Sequence, residues 1–173
     1  MNAARITPAS QRGFSLITSL ILLVVVTLAA LSSVRAVALQ ARMSATTYDR
    51  NLAFQAAETA LREAELRAAS AAPADFAPAG CAAGLCAQPA PTDGARWADD
   101  AFAGWQTSTA AVSPGAAAPG AIVEQNGEGD NWPGCSQQIP REPNCRTPRY
   151  RVTARSTDDG RASVIVQSDV AAN

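Results

Sequence analysis

Gln11-Arg12-Gly13-Phe14-Ser15-Leu16-Ile17-Thr18-Ser19-Leu20 opens the stretch that decides the fold. Twenty-two residues without a charge separate Arg12 from Arg35, and neither Gly nor Pro occurs from Phe14 to Ala72. About twenty residues at a rise of ~1.5 Å cover a hydrocarbon core of ~30 Å, so Phe14 to Val34 is expected to be a membrane-length helix. Its Ser and Thr side chains are tolerable there, because a hydroxyl can bond back to the preceding turn. Residues 1–13 form a polar leader in which Pro8 and Gly13 disfavour helix. Arg5, Arg12 and the amino terminus place it in the cytoplasm by the positive-inside rule, an asymmetry that Arg35 and Arg42 weaken. The plain alternative is a secretory signal cut near Ala29-Ala30. Against it, the apolar run starts at the Gly-Phe boundary and exceeds the usual h-region of about 7–15 residues.

From Arg35 to Ala69 the composition stays helical, rich in Ala, Leu, Arg, Glu and Gln. Phe54, Ala57, Leu61, Ala64 and Ala68 recur at three- and four-residue steps and mark one apolar face. Glu58–Arg62 and Glu63–Arg67 stand at i,i+4 in the favourable order. Something must cover the Phe54–Leu61–Ala68 face, and a small sheet from the rest of the chain is the natural cover. Pro73 and Pro78 end the helix.

Residues 71–146 are rich in Ala, Pro and Gly and can bury only a thin core. Four cysteines lie here, Cys81, Cys86, Cys135 and Cys145. If the apolar run is an anchor, they sit in an oxidising space. Four cysteines allow three pairings. Short loops close at low entropic cost, which favours Cys81–Cys86 and Cys135–Cys145 over long-range staples. The spacings C-x4-C and C-x9-C do not match paired zinc knuckles. Arg96 to Thr107 contains Trp97, Phe102 and Trp105, and Trp97-Ala-Asp-Asp-Ala-Phe-Ala-Gly is expected as a short helical turn that packs its aromatics against the sheet or helix. Thr107 to Ala111 is expected to begin a strand, and Ala121-Ile-Val-Glu to form a short one. Asn126-Gly-Glu-Gly-Asp-Asn reads as an acidic turn that lacks the order of a calcium loop.

The last part of the chain is the clearest β signal. Tyr150-Arg-Val-Thr-Ala-Arg-Ser and Ala162-Ser-Val-Ile-Val-Gln-Ser-Asp-Val alternate around Thr157-Asp-Asp-Gly, which predicts a hairpin. Tyr150, Val152 and Ala154 should share a face, with Val164, Val166 and Val170 opposite. Arg149, Arg151 and Arg155 fall on the other face, read as solvated and not as a nucleic-acid groove.

The chain has no histidine, which removes His-based triads, His bases and the commonest metal ligand. Its net charge of -1 implies no nucleic-acid or acidic partner. The paired carboxylates Asp99-Asp100 and Asp158-Asp159 read as solvated or capping groups. No phosphate loop is present, and no cofactor, metal or enzymatic activity is expected.

Gln11-Arg12-Gly13-Phe14-Ser15-Leu16-Ile17 with its apolar helix resembles the class III signal sequence of type IV pilins and pseudopilins. Asp49-Arg-Asn-Leu-Ala-Phe-Gln-Ala-Ala-Glu-Thr-Ala-Leu-Arg-Glu-Ala-Glu65 is similar, more narrowly, to PilX-type minor pilins. The resemblance implies an α+β pilin-like fold. A long N-terminal helix, transmembrane in its first half (14–34) and amphipathic in its second (35–70), would pack on a small antiparallel β-sheet domain (71–173) with disulfide-bearing loops. It further implies a prepilin peptidase that cuts between Gly13 and Phe14 and methylates Phe14. The single-pass protein would wait in the bacterial inner membrane, its C-terminal domain periplasmic, before it enters a pilus or its tip. Implied partners are the lipid bilayer, an inner-membrane assembly platform, the major pilin, other minor pilins and a tip adhesin-like protein. Thr18 stands where the family usually carries Glu. A carboxylate there would pair with a neighbour's amino terminus, so Thr18 implies a subunit used in small numbers. A minor pseudopilin of type II secretion and a secreted or tethered binding module are the competing readings.

Overall fold

The computed structural model describes residues 14–109, 117–157 and 160–172. Two compact units divide the chain, Met1–Ala45 and Thr46–Asn173. One helix, α1 (Phe14–Ser70), contributes to both. The absence of Gly and Pro lets it propagate, and it ends where Pro73 begins a 3-10 turn over Pro73–Asp75. Asp75 closes that turn by accepting the Ala72 N–H at 2.8 Å.

In the second unit, residues 46–70 of α1 pack on a small sheet. Its described strands are β1 (Cys81–Ala82), β2 (Leu85–Cys86), β3 (Gln106–Thr107), β4 (Gly120–Asp130), β5 (Arg146–Arg155) and β6 (Ile165–Ala171). The order is β1-β2-β4-β5-β6, with β3 also on β4. The sheet is mixed: β2 runs parallel to β4, and the other pairs are antiparallel. The α+β arrangement of a long helix on a small sheet is therefore present, with one short parallel pair added.

Alternation sets what the sheet offers α1. Ala121 and Val123 of β4, Tyr150, Val152 and Ala154 of β5, and the half-buried Val166 and Val170 of β6 pack towards Ala60, Leu61, Ala64 and Ala68. Phe76 stacks on the Tyr150 ring at 4.7 Å, and the Tyr150 hydroxyl donates to Ala71 O at 3.4 Å. The expected hairpin is β5–β6, with Arg155 opposite Ile165. Asp158 and Asp159 of its turn lie outside the described residues.

Three local readings change. Phe54 is 50% exposed, and the buried stripe on α1 is Ala53, Ala57, Ala60, Leu61, Ala64 and Ala68. Small side chains, not the large Phe54 ring, line the buried face of the helix. The acidic stretch from Asn126 is not a turn. β4 continues to Asp130, with a register shift between Gln125 and Glu128 that takes up Asn126 and Gly127. Glu63 accepts from the Ser108 hydroxyl and from Thr109 N at 3.1 Å, while Arg67 donates to Ala83 O at 2.5 Å. These two side chains thus tie α1 to separate loops, whereas Arg62 does reach Glu58 at 3.3 Å.

The packing predicts unequal costs along one helix. Ala57→Leu or Ala68→Leu should destabilise the protein by about 1–3 kcal/mol through overpacking. Phe54→Ala should cost less than about 1 kcal/mol, as exposed substitutions do. Denaturant melts of the detergent-solubilised chain measure both, and an equal cost at Phe54 would contradict the alanine-faced contact.

Candidate functional site: the apolar helix and the anchored loops

The first unit is functionally an apolar surface. Phe14, Leu16, Ile17, Leu20 to Val26, Leu28 and Leu31 are all exposed, and α1 is long and apolar enough to cross a membrane. Five of its hydroxyls are satisfied locally. Thr18 donates to Phe14 O at 3.1 Å or Ser15 O at 3.0 Å, Ser19 to Leu16 O at 2.9 Å, and Thr27 to Val24 O at 2.9 Å. Ser32 and Ser33 do the same to Leu28 O and Ala30 O. Such bonds lower the cost of placing hydroxyls in hydrocarbon. Phe14 is the first described residue of α1, and Gly13 lies outside the described residues.

In the second unit the sequence-selected cysteines form two local bridges. Cys81 is bonded to Cys86 and Cys135 to Cys145, with Cα separations of 4.0 and 5.5 Å. The first bridge closes the β1–β2 hairpin. Gly84 there has φ +78°, and a Cβ would stand 2.5 Å from the Gln106 Cβ, so the close approach to β3 requires glycine. The second bridge closes the loop from Asn131 to Asn144, whose base is held by Asn131 N–H to Cys145 O at 2.9 Å. Asp130 accepts from the Ser136 hydroxyl at 2.6 Å, and that bond holds its pKa below the ordinary carboxylate value. Ile139 in this loop is 98% exposed.

Several of the other sequence-selected groups are engaged structurally. Trp97 lies in a 3-10 turn (Arg96–Ala98) but is 42% exposed, contrary to the packed position expected. Trp105 instead lies under the Arg155 guanidinium, 4.3 Å from its ring centroid. Arg151 faces Asp169 at 3.9 Å, Arg149 donates to Asp130 O at 2.7 Å, and Arg146 lies 3.6 Å from Glu128. This arginine-bearing face is thus tied to neighbouring strands and loops. Asp99 caps a turn by accepting Ala101 N–H at 2.9 Å.

Two polar anchors escaped sequence reading, because each joins residues far apart in the chain. Arg96 meets the buried Glu124 at 2.6 Å and also donates to Ala87 O at 2.9 Å. Asp49 on α1 takes Arg161 at 2.9 Å and the Ala162 N–H at 2.8 Å. No local spacing signals either contact.

Breaking the Arg96–Glu124 pair leaves a buried carboxylate alone. Arg96→Ala should therefore cost about 3–5 kcal/mol, and the double variant Arg96→Ala/Glu124→Leu should recover much of it. Denaturant melts compare the two, and equal losses would contradict the buried-pair account. Tyr150 adds a pH dependence. Burial and then the nearby Asp75 charge raise its pKa above 10.0. The unfolded chain then loses its phenolic proton first, so stability holds below pH ~10 and falls above it.

The family model described as PilX N-terminal matches residues 12–62, under a third of the chain. Neither curated proteins nor solved structures return a match. The matched segment covers the apolar stretch and most of the alanine-faced stretch of α1. The N-terminal segment is thus similar to the PilX-type N-terminus of type IV pilins, and one continuous helix leads from it into a disulfide-bearing α+β domain.

Proposed function

We propose that this protein is a minor type IV pilin, a structural subunit used in small numbers in the priming or tip complex of a pilus. The observation that carries the reading is the PilX-type match at residues 12–62, lying on an uninterrupted helix whose apolar half is wholly exposed. Exposed apolar side chains in such numbers need lipid or sibling helices as neighbours. A prepilin peptidase would cut between Gly13 and Phe14 on the cytoplasmic side of the inner membrane and methylate the new Phe14 amine. The subunit would wait there with its disulfide-bearing domain in the periplasm, the oxidising compartment its two bridges suit. Assembly would then exchange lipid for other pilin helices on the platform, next to other minor pilins, the adhesin-like tip protein and the major pilin. Pilus biogenesis, twitching motility and adhesion are the processes it would support.

Thr18 supports the low-copy role. Its hydroxyl bonds within its own helix, to Phe14 O or Ser15 O, and it offers no carboxylate to a neighbour's amino terminus. The missing charge also saves an insertion cost of about 2–4 kcal/mol.

The amino terminus tests this reading. Mass spectrometry of protein from its bacterial host should find a chain that begins at N-methylated Phe14. Gly13→Val should retain residues 1–13, still insert in the membrane, and fail to enter pili. A start near Ala30, an intact Met1 in the unmodified protein, or normal trimming of Gly13→Val would overturn the assignment.

A further inference from the structure

The sheet ends on β6 with its outer edge unpaired among the described residues. Two main-chain bonds fix which way β6 points its hydrogen-bonding groups. Ser156 N–H donates to Val164 O at 2.9 Å, and Ala172 N–H donates to Pro148 O at 3.0 Å. Even-numbered residues from Val164 to Ala172 thus spend their N–H and C=O groups on β5, since such pairs alternate along an antiparallel ladder. Ile165, Gln167, Asp169 and Ala171 therefore aim theirs away from the sheet. Edge strands are usually blunted by Pro, Lys, a bulge or short length. Ile165–Ala171 has none of the first three and keeps seven regular pairs with β5. Its one charge, Asp169, sits on the face away from α1, near Arg151. On the α1 face Val166 and Val170 are only half-buried, so the core stops short at this edge.

We propose that this edge pairs with β6 of a second copy of the same chain, antiparallel about a two-fold axis at Ser168. The sequence of the strand is what selects this occupant and register. Outward groups must meet outward groups, so odd residues must face odd residues. With Ser168 on the axis, Ile165 faces Ala171 and Gln167 faces Asp169, each pair exchanging two main-chain hydrogen bonds. The Gln167 amide then stands across from the Asp169 carboxylate as a donor to an acceptor. Val166 meets Val170 on the α1 face, so the half-buried valines of each copy complete the core of the other. A slip centred on Asp169 sets two carboxylates opposite each other, and one centred on Gln167 sets Asp169 against Ile165 and leaves Ala171 unpaired. One register thus uses the whole strand without a charge conflict.

The same axis dictates the direction of approach. Asp49 reaches Ala162 at 2.8 Å, and the Ser168 hydroxyl reaches Glu65 at 2.7 Å, so residues 46–70 of α1 run alongside β6 in the same sense. The two-fold reverses both elements. The contact therefore joins copies presented from opposite directions, and not neighbours that point the same way. It is an additional contact of the β domain and stands independently of how the N-terminus is processed.

Cross-linking of the full chain in detergent tests this. Ser168 pairs with itself at a non-hydrogen-bonded position, where Cα atoms lie about 4.5 Å apart, within the span of about 4.4–6.8 Å that a disulfide bridges. Ser168→Cys should give a covalent dimer on mild oxidation, and peptide mapping should find the two introduced thiols joined to each other. Gln167→Cys faces Asp169 of the other copy and should give at least about tenfold less. Gln167→Pro removes only an outward N–H, which an edge strand tolerates. Added to Ser168→Cys, it should cut the cross-link by at least about tenfold while the melting curve is retained. Equal yields from Gln167→Cys and Ser168→Cys, no covalent dimer from Ser168→Cys, or full cross-linking in a folded Gln167→Pro background would each overturn the pairing. If Gln167→Pro fails to fold, the comparison of Ser168→Cys with Gln167→Cys still decides.

Discussion

The contact on which the second unit depends is the packing of the alanine-rich face of α1 against β4 and β5. Five of the six buried positions on the helix are alanines. The volume of the core is then supplied from the sheet side, by Tyr150, Val152 and Val123, with Phe76 laid over the Tyr150 ring. Interiors are packed to near-crystalline density, so a helix this smooth demands large partners opposite it.

A core of this size is thin for the length of irregular chain it must hold. The protein compensates with polar anchors that radiate from α1. Glu63 holds Ser108 and Thr109, Arg67 holds Ala83, Asp49 holds Arg161 and Ala162, and Glu65 holds Ser168. The two disulfides add covalent closure to the β1–β2 hairpin and to the loop from Asn131 to Asn144. Arg96 and Glu124 do the same for the segment between β2 and β3, inside a buried pocket of charge. Helix α1 is thus both half of the core and the post to which the loops are tied.

The sidedness of α1 bears on function. Where the matched PilX-type segment is most apolar, its described side chains are exposed, and the Thr18, Ser19 and Thr27 hydroxyls bond to the helix's own carbonyls. Where it becomes alanine-faced, the sheet supplies the cover. A single helix therefore satisfies two environments by changing only the width and composition of its apolar surface. Several acidic and basic side chains of the domain serve structure, among them Asp130 with Ser136, Arg149 with Asp130 O, and Arg155 over Trp105.

Local pattern made the helix legible, because an unbroken run without Gly or Pro needs no tertiary partner to declare its period. The same holds for the β5–β6 hairpin, where strict alternation encodes which side chains face inward. The resemblance at residues 11–67 was equally local and coincides with the family match. What the pattern could not rank was neighbours of similar hydrophobicity. It put Phe54 on the buried helix face beside Ala57, whereas Phe54 is half exposed and Ala53 is buried in its place. It read Asn126 to Asn131 as a turn from composition, whereas pairing with Pro148, Thr147 and Arg146 holds Glu128 to Asp130 in a strand. It placed Glu63 with Arg67 by spacing, whereas both reach loops distant in sequence. Sequence by itself thus determined the elements whose signals repeat along the chain. Tertiary structure alone decided the partners, because burial and long-range hydrogen bonds depend on what the fold brings near, and no residue carries that information in its own neighbourhood.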